Sequence, residues 1–161
     1  MIRKARKEDF EKLCTIYTSA QSYMEAHGNP QWPKGHPSPE EIGSLIERDV
    51  LYVVGDDPHA AFALVEGEDP TYGYIEGAWS KKDPYLTIHR MASDGKIRGV
   101  AREIFAFARE KHPYIRIDTH RKNKTMLHAL EKFGFRACGV IYLANGDERL
   151  AFDYYEDPEK R

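Results

Sequence analysis

The chain is short of several things, and each shortage closes off a class of protein. Only two cysteines, Cys14 and Cys138, occur in 161 residues. They are too few for a disulfide scaffold and lack metal-ligand spacing, which points to a reducing cytoplasm. Charge of one sign is not in surplus: 24 Lys and Arg stand against 26 Asp and Glu, for a formal net charge of -2. A nucleic-acid partner held by bulk positive charge is therefore not expected. No run approaches the ~20 apolar residues of a membrane span. Residues 1–10 lack the apolar stretch of a signal peptide. The histidines form no H-x-x-x-H pattern and no grouping with cysteine, so no metal is expected. Repeats and low-complexity tracts are absent. These exclusions leave one soluble, cytoplasmic domain over residues 1–157 with a short tail, 158–161. A chain of this length buries a core without metal or disulfide support.

What is present is a regular alternation of elements. Ile2 to Arg6 reads as a strand, and from Lys7 the apolar positions Phe10, Leu13, Tyr17, Ala20 and Met24 fall at helical spacing. Ser38-Pro39-Glu40-Glu41 starts a second helix, with Ser38 as N-cap and Glu41 closing a capping box. Strands are expected from Leu51 to Val54 and Ala60 to Val65, then from Tyr85 to Ala92 and Ile115 to Thr119. Two more, Ala137 to Leu143 and Glu148 to Tyr155, flank the hairpin signal Asn145-Gly146. A helix follows Gly99, and another runs from Asn123 to a stop at Gly134. The order predicts an α/β (α+β) fold, a mixed sheet of six to seven strands flanked by about four helices. Two Gly- and Pro-rich loops, 26–39 and 67–84, keep large aromatics. Trp32, Tyr74 and Trp79 there, with Tyr85 beside them, either pin the loops or wall a binding site for a partly apolar small molecule.

The densest chemistry lies between His89 and Arg102, where a strand enters a glycine-bearing loop that opens directly into a helix. A helix start leaves backbone N–H groups unpaired and adds partial positive charge. Gly99 lets an anion approach those amides, and Lys96, Arg98 and Arg102 add full charges, which together describe a pyrophosphate cradle. The stretch Lys96-Ile97-Arg98-Gly99-Val100-Ala101 resembles the acetyl-CoA motif Q/R-x-x-G-x-G/A of the GNAT superfamily of N-acetyltransferases. Asn123 through Glu131-Lys132-Phe133-Gly134-Phe135 is similar to that family's N-x-x-A-x-x-L-Y-E-K-x-G-F segment. The likeness covers essentially the whole chain, since the element order is also that of the GNAT fold.

The resemblance implies a strand bulge at Met91, beside Ala92, that exposes backbone to a pantetheine arm. It also implies pyrophosphate contacts from Ile97 through Arg102 and a cofactor contact from Asn123. Two departures stand out: Lys96 and Ala101 replace the usual Gln/Arg and Gly, and Leu130 occupies the position where many members carry a tyrosine as general acid. Tyr142 or water is left to protonate the departing thiolate. For the base, period-two alternation sets Tyr85, Thr87, His89 and Met91 on one face, and His89 is the one suited to proton removal near neutral pH. Glu76 is a second candidate. Asp118-Thr119-His120 reads as strand-end polar structure or part of the cofactor cleft. The expected activity is transfer of an acetyl group from acetyl-CoA to a primary amine of a small molecule, with a homodimer as the assembly left open. The alternative is a GNAT-fold module that binds CoA without turnover, motivated by Leu130.

Overall fold

The computed structural model describes residues 1–156; the boundary drawn at 157 and the tail 158–161 lie outside the described residues. Eight strands form one sheet: β1 (Ile2–Lys4), β2 (Leu51–Val54), β3 (Ala60–Glu66), β4 (Glu76–Gly77), β5 (Leu86–Ser93), β6 (Tyr114–Thr119), β7 (Arg136–Tyr142) and β8 (Glu148–Tyr155). Four helices accompany them: α1 (Phe10–Ala26), α2 (Pro39–Glu47), α3 (Val100–Lys111) and α4 (Lys124–Phe133). The spatial order is β1-β2-β3-β5-β6-β8-β7-β4. Every neighbouring pair is antiparallel except β5 and β6.

Alternation along the strands sorts side chains to the two faces. In β3, Phe62 and Leu64 join Ile104, Phe105 and Leu130 under α3 and α4. Ala61 and Ala63, small enough for close helix approach, face Leu13, Ile16 and Tyr17 of α1 instead. Helices α1 and α2 cover only the β1-to-β5 half of their face. Over the other half lies the loop between β3 and β5, where Tyr72, Tyr85 and Tyr114 cluster with Ile141 and Ala151. The gap between these two coverings is where a cleft opens.

Two expectations need correction. The sheet has eight strands rather than six or seven, because two residues of the 67–84 loop pair with β7, Glu76 with Val140 and Gly77 with Gly139. A Cβ at Gly77 would overlap the carbonyl of Cys138, and one at Gly139 that of Glu76. Only glycine at both positions lets the strands meet. The second correction concerns α2. Ser38 Oγ does accept from the Glu41 amide at 3.1 Å, but the Glu41 carboxylate does not return to close the box. It pairs with the Arg90 guanidinium, Nε to Oε2 at 2.8 Å. An ion pair reaching from α2 to β5 stands in place of the returning half of the capping box, while the Ser38 cap remains.

Candidate active site

Strand β5 organises the site through a bulge. Ala63 lies opposite His89 and Ala61 opposite Ala92, so β5 carries one more residue than β3 across that interval. Arg90 takes up the excess with φ +55°, and its carbonyl accepts from the Tyr17 hydroxyl at 2.7 Å. The extra residue resets the alternation. Ala92 now shares the α1 face with Ala63, while Met91 packs with Leu86 and Ile88 against the α3 side. The expectation that His89 and Met91 share a face is therefore wrong, and the bulge centres on Arg90 rather than Met91.

Pairing between β5 and β6 covers just two positions, Leu86 with Ile115 and Thr87 with Arg116. Continued, it would set His89 opposite Asp118, but the strands separate first. A cleft of about 680 Å³ occupies the opening. Ile88, Met91 and Met126 line it from the α3/α4 side, and Thr87, His89 and Asp118 from the other.

His89 Nε2 lies 3.0 Å from Asp69 Oδ2. Asp69 itself starts the turn Pro70–Tyr72, accepting from the amide and hydroxyl of Thr71 at 2.9 and 2.7 Å. The hydrogen bond from His89, aided by Thr71, holds the Asp69 carboxyl down to about 2 against the opposing effect of burial. An ionised carboxylate only accepts, so the neutral imidazole carries its proton on Nε2 and leaves Nδ1 as the free base. Across the opening, Asp118 Oδ2 accepts from the Tyr72 hydroxyl at 2.6 Å, and burial pushes its carboxyl upward.

At the start of α3, Gly99 is the N-cap with φ +79°, and nothing lies within 4 Å of where its Cβ would stand. No side chain caps this helix start. Val100 and Ala101 turn into the core, while Lys96, Arg98 and Arg102 stay exposed and Ile97 is 53% exposed. Asn123 caps α4, its Oδ1 accepting from the Met126 amide at 3.2 Å. Its Nδ2 donates to Gln31 Oε1 at 3.0 Å, an oxygen that also accepts from Thr119 Oγ1 and the His120 amide. Gln31 thus ties the 26–39 loop to the end of β6.

The other expected residues divide. Trp32 lines the cleft, tilted against Tyr17 with the Arg90 guanidinium 5.9 Å from its ring centre. Trp79 and Tyr85 do not line it; they hold the Arg116 guanidinium between them at 4.2 and 4.1 Å, and the Tyr85 oxygen accepts from the Asp69 amide. Tyr74, 66% exposed, stacks on Tyr142 at the sheet edge. Tyr142 donates to Glu76 at 2.8 Å, and that bond pushes its hydroxyl up to about 12. Glu76, Tyr74 and Tyr142 are thus engaged with one another outside the cleft lining. Sequence reasoning missed Asp69, Thr87, Arg90, Arg149 and Gln31 there; Asp69-Pro70, a cap followed by proline, was the one local signal.

The parallel strands β5 and β6 part company after two paired positions, and no side chain caps the glycine-led start of α3. A model of the acetyltransferase (GNAT) domain matches residues 1–136. The crystal structure of a GNAT-family acetyltransferase from Streptococcus agalactiae 2603 superposes with a TM-score of 0.89 at 30% identity, covering 98% of this chain and 95% of that one. The chain belongs to the GNAT family of acetyltransferases. Two remoter structures share the fold. An aminoglycoside N(6')-acetyltransferase from Legionella pneumophila has a TM-score of 0.63 at 12% identity, covering 96% of this chain and 91% of that one. A ribosomal-protein-alanine N-acetyltransferase from Brucella melitensis has 0.62 at 17%, covering 97% and 99%. A sequence search of curated proteins gave no significant match.

Proposed function

We propose that the protein moves the acetyl group of acetyl-CoA to the primary amine of a small molecule. The observation that carries this is the juxtaposition, in one cleft, of the separated β5–β6 edges with the His89–Asp69 pair. On this reading the free edge of β5 from Ile88 through Ala92 receives the pantetheine arm by strand-like hydrogen bonding. The first-turn amides of α3, with Lys96, Arg98 and Arg102, hold the pyrophosphate, and Asn123 stands at the cofactor's side of α4. The open space at Gly99 fits such a group. When bound, acetyl-CoA supplies a thioester-activated acetyl group.

The acceptor arrives as an ammonium and must lose a proton before its nitrogen becomes a nucleophile. His89 Nδ1 takes that proton, directly or through one water, and Asp69 holds the ring and stabilises the imidazolium that results. Trp32 forms the apolar wall on the acceptor's side. The Glu76–Tyr142 pair has no part in this scheme. Free-thiol release from acetyl-CoA against a panel of small primary amines tests the proposal. Amine-dependent release is expected, and its absence across the panel would overturn transfer.

One observation favours a second reading. Leu130, at the position of the family's tyrosine acid, is 0% exposed and packed in the core, so no side chain at that site can protonate a thiolate. If calorimetry shows acetyl-CoA binding while no amine releases thiol, the protein is a CoA-binding module.

A further inference from the structure

The cleft holds a buried cation that no described carboxylate contacts directly, although Asp118 and Asp147 lie near enough to favour its charge. Arg149, on β8, is 6% exposed and lines the cleft. Its Nη1 donates to the Glu148 carbonyl at 2.8 Å and its Nη2 to the Gln31 carbonyl at 2.7 Å. Both acceptors are neutral, and among the described residues it forms no ion pair. A guanidinium this buried is ordinarily paired. Two of its five N–H donors are used, and the planar fork suits a carboxylate.

Asp118 stands beside it. Asp118 lies opposite Ala151 in the β6–β8 ladder, so Arg149, two residues away on the same face, is its diagonal neighbour, with Cβ atoms roughly 7–8 Å apart. The two side chains do not pair. Asp118 Oδ1 accepts from no described residue, Oδ2 being taken by Tyr72. Thr87, 1% exposed and also in the cleft lining, has a hydroxyl without a hydrogen-bond partner among the described residues. Of the other charged groups lining the cleft, Arg90 pairs with Glu41 and His89 with Asp69, while Arg48, Glu68 and Asp147 form no ion pair among the described residues.

We infer that the acceptor is a small zwitterion of the α-amino-acid type, its carboxylate held by Arg149 and its ammonium received by Asp118 and the Thr87 hydroxyl beside His89. Opposite charges a few bonds apart bridge two side chains that are diagonal neighbours yet do not touch. A simple monoamine leaves Arg149 without a direct ion-pair partner, and a peptide N-terminus brings no carboxylate so near its amine. The inference rests on the acetyl-transfer reading for the fate of the amine, while recognition stands on the cleft alone.

The test is direct binding of the protein amino acids, each beside its own carboxamide, followed by saturation-transfer NMR and calorimetry on wild type, Arg149→Lys and Arg149→Met. At least one amino acid is expected to bind, with its carboxamide weaker by about tenfold to a hundredfold, the range a charge-assisted hydrogen-bond pair supplies. That preference should shrink in Arg149→Lys and vanish in Arg149→Met. The wild-type comparison needs no variant, so a misfolded Arg149→Met leaves the result readable. No amino acid binding, carboxamides binding equally well, or a preference that survives in folded Arg149→Met overturns the inference. Thiol release separates the two readings: carboxylate-selective binding without release sinks transfer alone, and release confined to carboxylate-free amines sinks this inference alone.

Discussion

At the scale of the residue, the proposed chemistry turns on His89 and its hydrogen bond to Asp69. Loss of a general base typically costs on the order of 10²–10⁴-fold in rate, so His89→Gln should lose that much kcat. A variant retaining more than about a tenth of kcat would make the histidine structural. Stability carries a second signature of the same bond. Asp69 is held at about 2 from an ordinary 3.8, and a carboxylate depressed on folding adds stability that is full above its unfolded value. That stability disappears as pH falls through the folded one. The wild type should therefore lose stability from about pH 4 down to about pH 2 through this group. In His89→Gln, which lacks the main cause of the depression, the loss over that window should be smaller. Melting curves across the window check it; identical pH dependence in the two proteins would show that the bond stabilises nothing.

At the scale of the element, the start of α3 and the bulge of β5 matter most. Gly99 sits at φ +79° with open space beside it, so Gly99→Glu keeps room for its side chain at a backbone cost of roughly 1–2 kcal/mol. It sets bulk and negative charge where the pyrophosphate is proposed to lie. Calorimetry should find acetyl-CoA binding abolished with the fold retained, and unchanged affinity would remove the cradle from this loop. The helix itself was legible beforehand, because Val100, Ile104 and Ala108 fall at one spacing and glycine before a helix is a local signal. The bulge was legible only through family likeness, and one residue out of place. Nothing about arginine marks a positive φ, and the Tyr17 hydroxyl that binds its carbonyl lies 73 residues away. For the same reason the face of Met91 was misread, since one inserted residue inverts everything after it. Strand β4 escaped because two residues carry no period, and its cause is a glycine–glycine approach between distant segments. The partner of His89 escaped because Asp69 reaches it through a loop that only the fold brings near.

At the scale of the whole molecule, the sheet is two halves joined by a short parallel seam. The β1-to-β5 half and the β6-to-β4 half share a ladder of two register positions. Gln31, Tyr72 and Asp69 tie them together over the outside. Amides of β5 between Ile88 and Ala92 that point toward β6 therefore lack ladder partners there. In hydrogen exchange they should be poorly protected in the free protein and slow markedly when acetyl-CoA is added. Equal protection in both states would place the pantetheine arm elsewhere. Fold class and element order could be read from periodicity, but the length of this seam could not, because separation of two strands leaves no mark on either one.

The lining of the cleft has a further consequence. Met91 and Met126 belong to one side of the sheet, Trp32 and His89 to the other, so the cleft is lined from both faces. Neither cysteine lines it to carry an acyl group between two substrates. On the proposed reading turnover requires both substrates present at once, and double-reciprocal plots of initial rate should intersect. Parallel lines would mean that the first product leaves before the second substrate enters.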